Sequence, residues 1–442
     1  MKNSFRLAIL PLLVLPFSLL AQSKQDTLPA NLSLDQCIKY ALQNQPAVKQ
    51  ADIDEAINER DIGISLAAWL PQVNSANSAS HYFKGSPQAA NGVANSAISN
   101  VSVIGIQATQ VIYNNDVQLA SKASKYSREY YKENTYSSQI AVVSDVSKAF
   151  YDVLLSQRQL DIIKEDITRL QRSLKDATAR YQAGVVDKTD YKQATIALNN
   201  ALASRKQTEE AIKSKSAYLR QLMGMPAERP MSLAYDSTRF EREAVIDTNQ
   251  TLDYNNRIEY RLLQTRKNLT GLNIDYYKYG FLPSLSANGA YNLNYFSNSL
   301  GNLYNQSFPN AYVGLSLTIP IFTGGKRLQN LAKARLQVER ADLDLVNTKD
   351  LINTQYVQAL ASYKSNYNNW LLLKQNVALA SDVYNIVSLQ YREGIKTYLD
   401  VIVSQSDLRT AELNYFNALF QVLSSRIDLQ RALGTIGTIT KR

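Results

Sequence analysis

Glycine and proline are scarce here, at 16 and 11 of 442 residues, and their absences are patterned. Neither occurs from Asp116 to Ala183, a run of 68 residues, nor from Lys326 to Glu393, again 68. Gly184 and Gly394 end these runs, and a second breaker-free run follows each: Val185 to Met223 and Ile395 to Leu433, 39 residues apiece. Because Gly and Pro are the strongest local interrupters of regular structure, such runs predict long unbroken elements. Two matched pairs predict an internal duplication with an offset near 210 positions.

Landmarks keep the same offset. Asn44 and Leu70-Pro71 correspond to Asn256 and Leu282-Pro283, Tyr181 to Gly184 corresponds to Tyr391 to Gly394, and Leu219 to Gly224 corresponds to Leu429 to Gly434. Within the first long run, a 3-4 spacing picks out Val143, Val146, Phe150, Val153, Gln157, Leu160, Ile163, Ile167, Leu170, Leu174, Ala177 and Tyr181. In the second it picks out Tyr356, Leu360, Tyr363, Tyr367, Trp370, Leu373, Val377, Ala380, Tyr384, Val387 and Tyr391. A sustained 3.5-residue period means packing against another helix, with left-handed supercoiling. At ~1.5 Å per residue such a run is a rod of roughly 100 Å. The glycines then cap the rods and return the chain as two helical hairpins. The aromatic stripe is expected to be hairpin core.

Between Leu-Pro and each long run, the period changes to two. Leu285, Ala287, Gly289, Tyr291, Leu293 and Tyr295 face one way, and Ser284, Ser286, Asn288, Ala290, Asn292 and Asn294 the other. Val313, Leu315, Leu317, Ile319 and Ile321 share a face of the next segment. Ser102 to Ile112 and the weaker Val73 to Phe83 are their first-half equivalents. No Asp, Glu, Lys or Arg falls in 72–83, 101–113, 284–296 or 311–322. Charge-free strands of about 9–11 residues with one polar and one apolar face suit a transmembrane β-barrel. Aromatics at their ends (Tyr82-Phe83, Tyr295-Phe296, Tyr113, Phe322) fit interfacial girdles. The Asn/Ser/Gly-rich loops 84–99 and 297–309 are placed outside the cell. Lipid tolerates no open sheet edge, and four strands cannot close a barrel, so several chains must combine. Two chains would give a lumen filled by side chains; three would give twelve strands and room for a pore.

Residues 1–21 (MKNSFRLAILPLLVLPFSLLA) join a basic start to an apolar run too short to span a membrane, which predicts a secretory signal peptide. One cysteine, Cys37, and one histidine, His81, exclude an intrachain disulfide, a Cys/His zinc site and the usual histidine-assisted nucleophiles. Cys37 reads as a buried helix position. No catalytic residue, metal site, cofactor or nucleic-acid partner is expected. A periplasmic coiled-coil adaptor would show one hairpin between soluble β domains. A structural surface protein would lack the duplication. A hydrolase is disfavoured because carboxylate pairs such as Glu209-Glu210 lie on helical faces.

Further marks are Leu-Ser-Leu-Asp-Gln-Cys-Ile-Lys-Tyr-Ala-Leu near the start, Ile319-Pro320-Ile321-Phe322-Thr323-Gly324-Gly325, the tips Arg180-Tyr181-Gln182-Ala183-Gly184 and Gln390-Tyr391-Arg392-Glu393-Gly394, and Arg431-Ala432-Leu433-Gly434. With the duplication, these resemble the TolC family of outer-membrane efflux proteins. The resemblance implies a mainly α fold with a membrane β-barrel portion. A homotrimer would pool four strands per chain into a 12-stranded barrel, continuous with a 12-helix coiled-coil α-barrel in the periplasm. On this reading the chain divides into signal peptide 1–21, first repeat 22–224, connector or equatorial segment 225–253, second repeat 254–436 and tail 437–442. Implied partners are outer-membrane lipid, a periplasmic adaptor (membrane fusion) protein and an inner-membrane RND, ABC or MFS pump. The implied function is a passive channel-tunnel for efflux or type I secretion, gated at the periplasmic hairpin tips.

The resemblance also assigns residues. Asp190 would pair with Tyr391 and Lys396 of the second hairpin to hold the gate. Lysine stands where arginine is familiar, so a bidentate clamp is lost. Asp400 would contribute to an acidic ring selecting cations. The family's deeper acidic ring falls at Val403 and is missing. Gly184, Val185, Val186, Gly394 and Ile395 are the expected adaptor-docking tips.

Overall fold

The computed structural model describes residues 31–84, 98–184 and 187–436. The expected signal peptide, most of the loop 84–99, Val185, Val186 and the tail 437–442 lie outside the described residues.

The chain opens with β1 (Asn31–Leu32) and α1 (Leu34–Asn44). Ser33 starts α1 through a capping box with Gln36, whose carbonyl oxygen accepts the Ser33 N–H at 2.9 Å. Helix α2 (Pro46–Ala67) follows at once. The two helices are separate because Pro46 cannot supply the N–H that would continue α1. It sits instead in the first turn of α2, where no such donor is needed, while Gln45 accepts the Ala47 N–H at 2.6 Å. Cys37 is fully buried on α1, and burial pushes its thiol up to about 12.

The first repeat continues through β2 (Gln72–His81), β3 (Asn100–Tyr113), α3 (Asn115–Gln182) and α4 (Lys188–Met223). A connector carries β4 (Ser232–Leu233), which pairs in parallel with β1, and α5 (Ser237–Glu243). The order then recurs as α6 (Ile258–Lys278), β5 (Ser284–Ser297), β6 (Ser307–Thr318), α7 (Lys326–Arg392) and α8 (Tyr398–Leu433). Helices α3 and α7 run 68 and 67 residues, each within a residue of the breaker-free run. Past the ends of α4, α7 and α8 an amide bonds a carbonyl five residues back: Met225 N–H to Arg220 O, Ile395 N–H to Gln390 O and Thr435 N–H to Gln430 O, each at 2.9 Å.

The four long strands form one antiparallel sheet in the order β2-β3-β5-β6. Register places Ile106 opposite Tyr291 and, on the other face, Gly105 opposite Asn292. Val73, Ile104, Ile106, Tyr291, Val313, Leu315 and Leu317 are exposed on one face, while Asn74, Gln107, Asn292 and Asn310 share the other. None of the four strands contains Asp, Glu, Lys or Arg. Strand β6 differs from its expected bounds. It begins at Ser307, inside the expected loop 297–309, and stops at Thr318, so Ile319, Ile321 and Phe322 lie beyond the ladder. Pro320 ends it by withholding a donor. Among the described residues, no helix is long and apolar enough to cross a membrane.

Next to the sheet the helices stand side by side as α2-α3-α6-α7; toward the hairpin tips they stand as α4-α3-α8-α7. Thus α3 has neighbours on both flanks and α7 stands at an edge. The stripe residues Val146, Phe150 and Val153 of α3 are fully buried. The α7 stripe also faces inward: Tyr363, Tyr367 and Trp370 stack with centroids 5.9 and 5.7 Å apart. Its remaining faces expose Leu343, Leu351, Leu372 and Leu379. The connector is strapped on by the same stripe. The Tyr363 hydroxyl donates to Ala244 O at 2.8 Å and accepts the Ile246 N–H at 3.0 Å. Phe240 of α5 lies against Phe150, Tyr151 and Phe420 in the main core.

Candidate functional site at the hairpin tips

A long hairpin ends where glycine adopts left-handed dihedrals. Gly184 and Gly394 have φ of 75° and 76°, are exposed, and leave open space where a side chain would start. Ile395 beside Gly394 is 72% exposed, so the second tip presents an apolar point to solvent.

Above the tips, α3 and α8 are joined by a buried polar cluster. Asp166 is 2% exposed; it accepts Gln405 Nε2 at 2.7 Å and Arg409 Nη1 at 3.2 Å. Nearer the tips, Ala177 of α3, Ala194 of α4 and Tyr398 of α8 form a small core, with Leu174, Tyr191, Tyr391 and Ile402 packed on it. Burial pushes the Tyr398 phenol up to about 12. Between the Asp166 cluster and the tips, the two hairpins of one chain therefore meet through an apolar plug.

Each expected gate residue can be placed on this frame. Asp190 lies in the first turn of α4, three residues after the helix N-cap Asp187. Tyr391 lies in the last turn of α7, with its ring 5.8 Å from that of Tyr398. Its hydroxyl is buried and has no hydrogen-bond partner among the described residues. Burial raises the Tyr391 pKa, and the charges of Asp190 and Asp176 add to that rise against the opposing charge of Arg180. Within the chain, then, Asp190 is close enough to be felt by Tyr391 but is not bonded to it. Lys396 Nζ stands 4.0 Å from Asp400, in its own hairpin.

Asp400 has a local duty of its own. It completes a capping box at the start of α8, accepting the Thr397 N–H at 2.9 Å and the Thr397 hydroxyl at 2.8 Å. These two bonds, aided by the Lys396 ammonium, hold its carboxyl below the ordinary aspartate value. A depressed pKa contributes stability in full above the ordinary value, near 4, and loses it as pH falls through the lowered one. Amide-exchange protection over residues 397–401 is expected to fall below about pH 4. Asp400→Asn should show no such pH dependence; equal profiles for the two proteins would contradict the assignment.

The sequence reading missed the partners of these residues. Arg180 of α3 sits over the Tyr391 ring, with its guanidinium carbon 4.6 Å from the ring centroid. The only prior signal was its place in the tip segment Arg180-Tyr181, where the second repeat has Gln390-Tyr391. Thr397 was legible as an N-cap from the Thr-x-x-Asp spacing. Among the described residues, no group of three or more His, Cys, Asp or Glu could hold a metal.

A family model described as Outer membrane efflux protein matches residues 37–225 and 263–435. Outer membrane protein TolC of Vibrio cholerae is 23% identical over 414 residues, covering 91% of this chain and 91% of that protein. Outer membrane protein TolC of Escherichia coli is 23% identical over 425 residues, covering 91% of this chain and 82% of that protein. The solved structure of the outer membrane protein VceC from Vibrio cholerae matches with a TM-score of 0.72 at 16% identity, over 91% of this chain and 96% of its own, a likeness of fold. Repeat, sheet and hairpins thus agree with the family match, and the chain belongs to the outer membrane efflux protein family, non-catalytic channels of the outer membrane.

Proposed function

We propose that the chain is one third of a closed conduit, whose three copies share a 12-stranded barrel in the outer membrane and a 12-helix tunnel in the periplasm. What supports this reading is that the unpaired edges of every layer fall on the same two sides. One side carries β2, α2 and α4; the other carries β6 and α7. A contact of one edge with the opposite edge of the next copy is heterologous, and such contacts form a ring when the rotation between copies closes. Both edges carry exposed apolar side chains to bury: Ile53, Ile57 and Ile64 on α2, and Leu336, Leu343 and Val346 on α7. The sheet's Asn- and Gln-bearing face then lines water and its apolar face meets lipid.

The tips are the gate in this reading, with Asp190, Tyr391, Lys396 and Asp400 around the aperture. Gly184, Val185, Val186, Gly394 and Ile395 form the surface offered to a periplasmic adaptor that couples the conduit to an inner-membrane pump. Substrates pass through without chemical change, and the pump supplies the energy. Protein extracted from outer membranes is expected to run as a detergent-stable trimer and to conduct in planar bilayers. Asp190→Asn or Lys396→Gln should raise single-channel conductance. A soluble monomer would reject the conduit, and unchanged conductance in both variants would reject the gate.

A further inference from the structure

The hairpins of one chain touch at the tips through one contact that the duplication does not repeat. Arg180, in the last turn of α3, lays its guanidinium over the face of Tyr391, in the last turn of α7, at 4.6 Å. Arg180 has no carboxylate within ion-pair distance among the described residues, so the ring is its partner there. From below, Tyr391 rests against Tyr398, and its hydroxyl is buried without a hydrogen bond. The tyrosine is thus held by its ring and not by its oxygen.

The mirrored contact is absent for a sequence reason. Gln390 occupies the repeat position of Arg180, so the second hairpin has no guanidinium at that position to lay over Tyr181. Tyr181 stacks instead on Tyr191 of its own hairpin, at 5.6 Å and 29°. Meanwhile Lys396 and Asp400 face each other at 4.0 Å, and Asp400 is engaged by Thr397. Lys396 and Asp400 are therefore occupied within their own turn. Beside the apolar plug, the arginine on the aromatic ring ties one hairpin tip to the other.

We propose that Arg180 is the positioning residue that fastens the two hairpins of each chain at the tips, gripping Tyr391 by the face of its ring. This rests on the reading of the tips as the gate. Cation–π attraction requires a cation over a π face and is indifferent to the phenol oxygen. The planar guanidinium stacks where an ammonium cannot, so lysine is an imperfect substitute. Opening the aperture separates this pair, and weakening it shifts the closed tips toward open.

Single-channel conductance in planar bilayers tests this, on variants first shown to form the same detergent-stable trimer as the parent protein. Arg180→Gln and Tyr391→Leu are each expected to raise the open-to-closed ratio roughly threefold to tenfold per protomer. Tyr391→Phe keeps the ring and should open far less than Tyr391→Leu. Arg180→Lys should fall between, and carries the test if Arg180→Gln does not assemble. The double variant Arg180→Gln/Tyr391→Leu should open no further than either single one, since both remove the same contact. Tyr391→Phe opening as far as Tyr391→Leu would overturn the proposal by assigning the hold to the hydroxyl. Closed Arg180 variants alongside an open Asp190→Asn would overturn the proposal while leaving the gate in place. No response from any variant, Asp190→Asn included, would overturn the gate reading and this proposal with it.

Discussion

Alanine in place of Gly224 or Gly434 is expected to strip the assembled protein from the outer membrane. Both glycines end their helices with left-handed dihedrals, φ 66° and 73°. Both also lie against the backbone of their own repeat. A Cβ on Gly224 would stand 2.6 Å from the Asn44 carbonyl oxygen, and one on Gly434 would stand 2.4 Å from that of Asn256. The left-handed conformation costs an L-residue about 1–2 kcal/mol, and forcing backbone aside in a packed site adds typically about 1–3 kcal/mol. A total of about 2–5 kcal/mol is a large share of the roughly 5–15 kcal/mol that holds a domain folded. Gly184→Ala and Gly394→Ala are the controls, having the same dihedrals but open space around them. They should lose only the conformational part. Immunoblots of outer-membrane fractions and denaturation midpoints of the purified trimers read the difference. Four variants with equal losses would show that the carbonyl contacts are immaterial.

Arg257→Met is the second large effect. This guanidinium is only 3% exposed and ties three helices at once. Nη1 donates to Ala432 O at the end of α8 at 3.0 Å, and Nη2 to Gln355 of α7 at 2.8 Å. Nε donates to Glu259 of α6 at 3.0 Å. Methionine fills much of the volume but strands the Ala432 carbonyl, the Gln355 amide and a partly buried carboxylate. Breaking a buried pair from one side costs about 3–5 kcal/mol. Because the Glu259 side chain is 42% exposed, water screens part of its loss, so the lower end of that range is expected. Arg257→Lys keeps the charge but cannot reach three acceptors, and should fall between. A midpoint for Arg257→Met equal to that of the parent protein would show that the three bonds merely replace bonds to water.

The helices were legible because their ends are decided locally. A left-handed glycine and the turn after it need no knowledge of the rest of the chain, so Gly184, Gly224, Gly394 and Gly434 could be read directly. The stripes of α3 and α7 were legible because coiled-coil packing imposes its period on the sequence. Strand ends were less so. Alternation continues through Ile319 and Ile321, but pairing stops at Thr318, where β5 has no further residue to offer. The tips were read by position and not by contact. The resemblance placed Asp190, Tyr391, Lys396 and Asp400 near one another, but which side chain meets which depends on how two rods are rotated about their axes. No local pattern records that rotation, so Arg180 over Tyr391 could only be seen in three dimensions.

The contacts of Gly224 with Asn44 and of Gly434 with Asn256 also govern the order in which the chain can fold. The last turn of each repeat lies against a residue near that repeat's start, Asn44 at the end of α1 or Asn256 just before α6, roughly 180 positions earlier. Contacts between such distant partners form slowly, because loop closure must precede any gain from packing. Neither repeat can close until its own final turn has cleared the export machinery. Until then the earlier half of each repeat is an open chain, with its apolar stripes and strand faces uncovered. For that interval the protein depends on whatever keeps unfolded outer-membrane chains from aggregating.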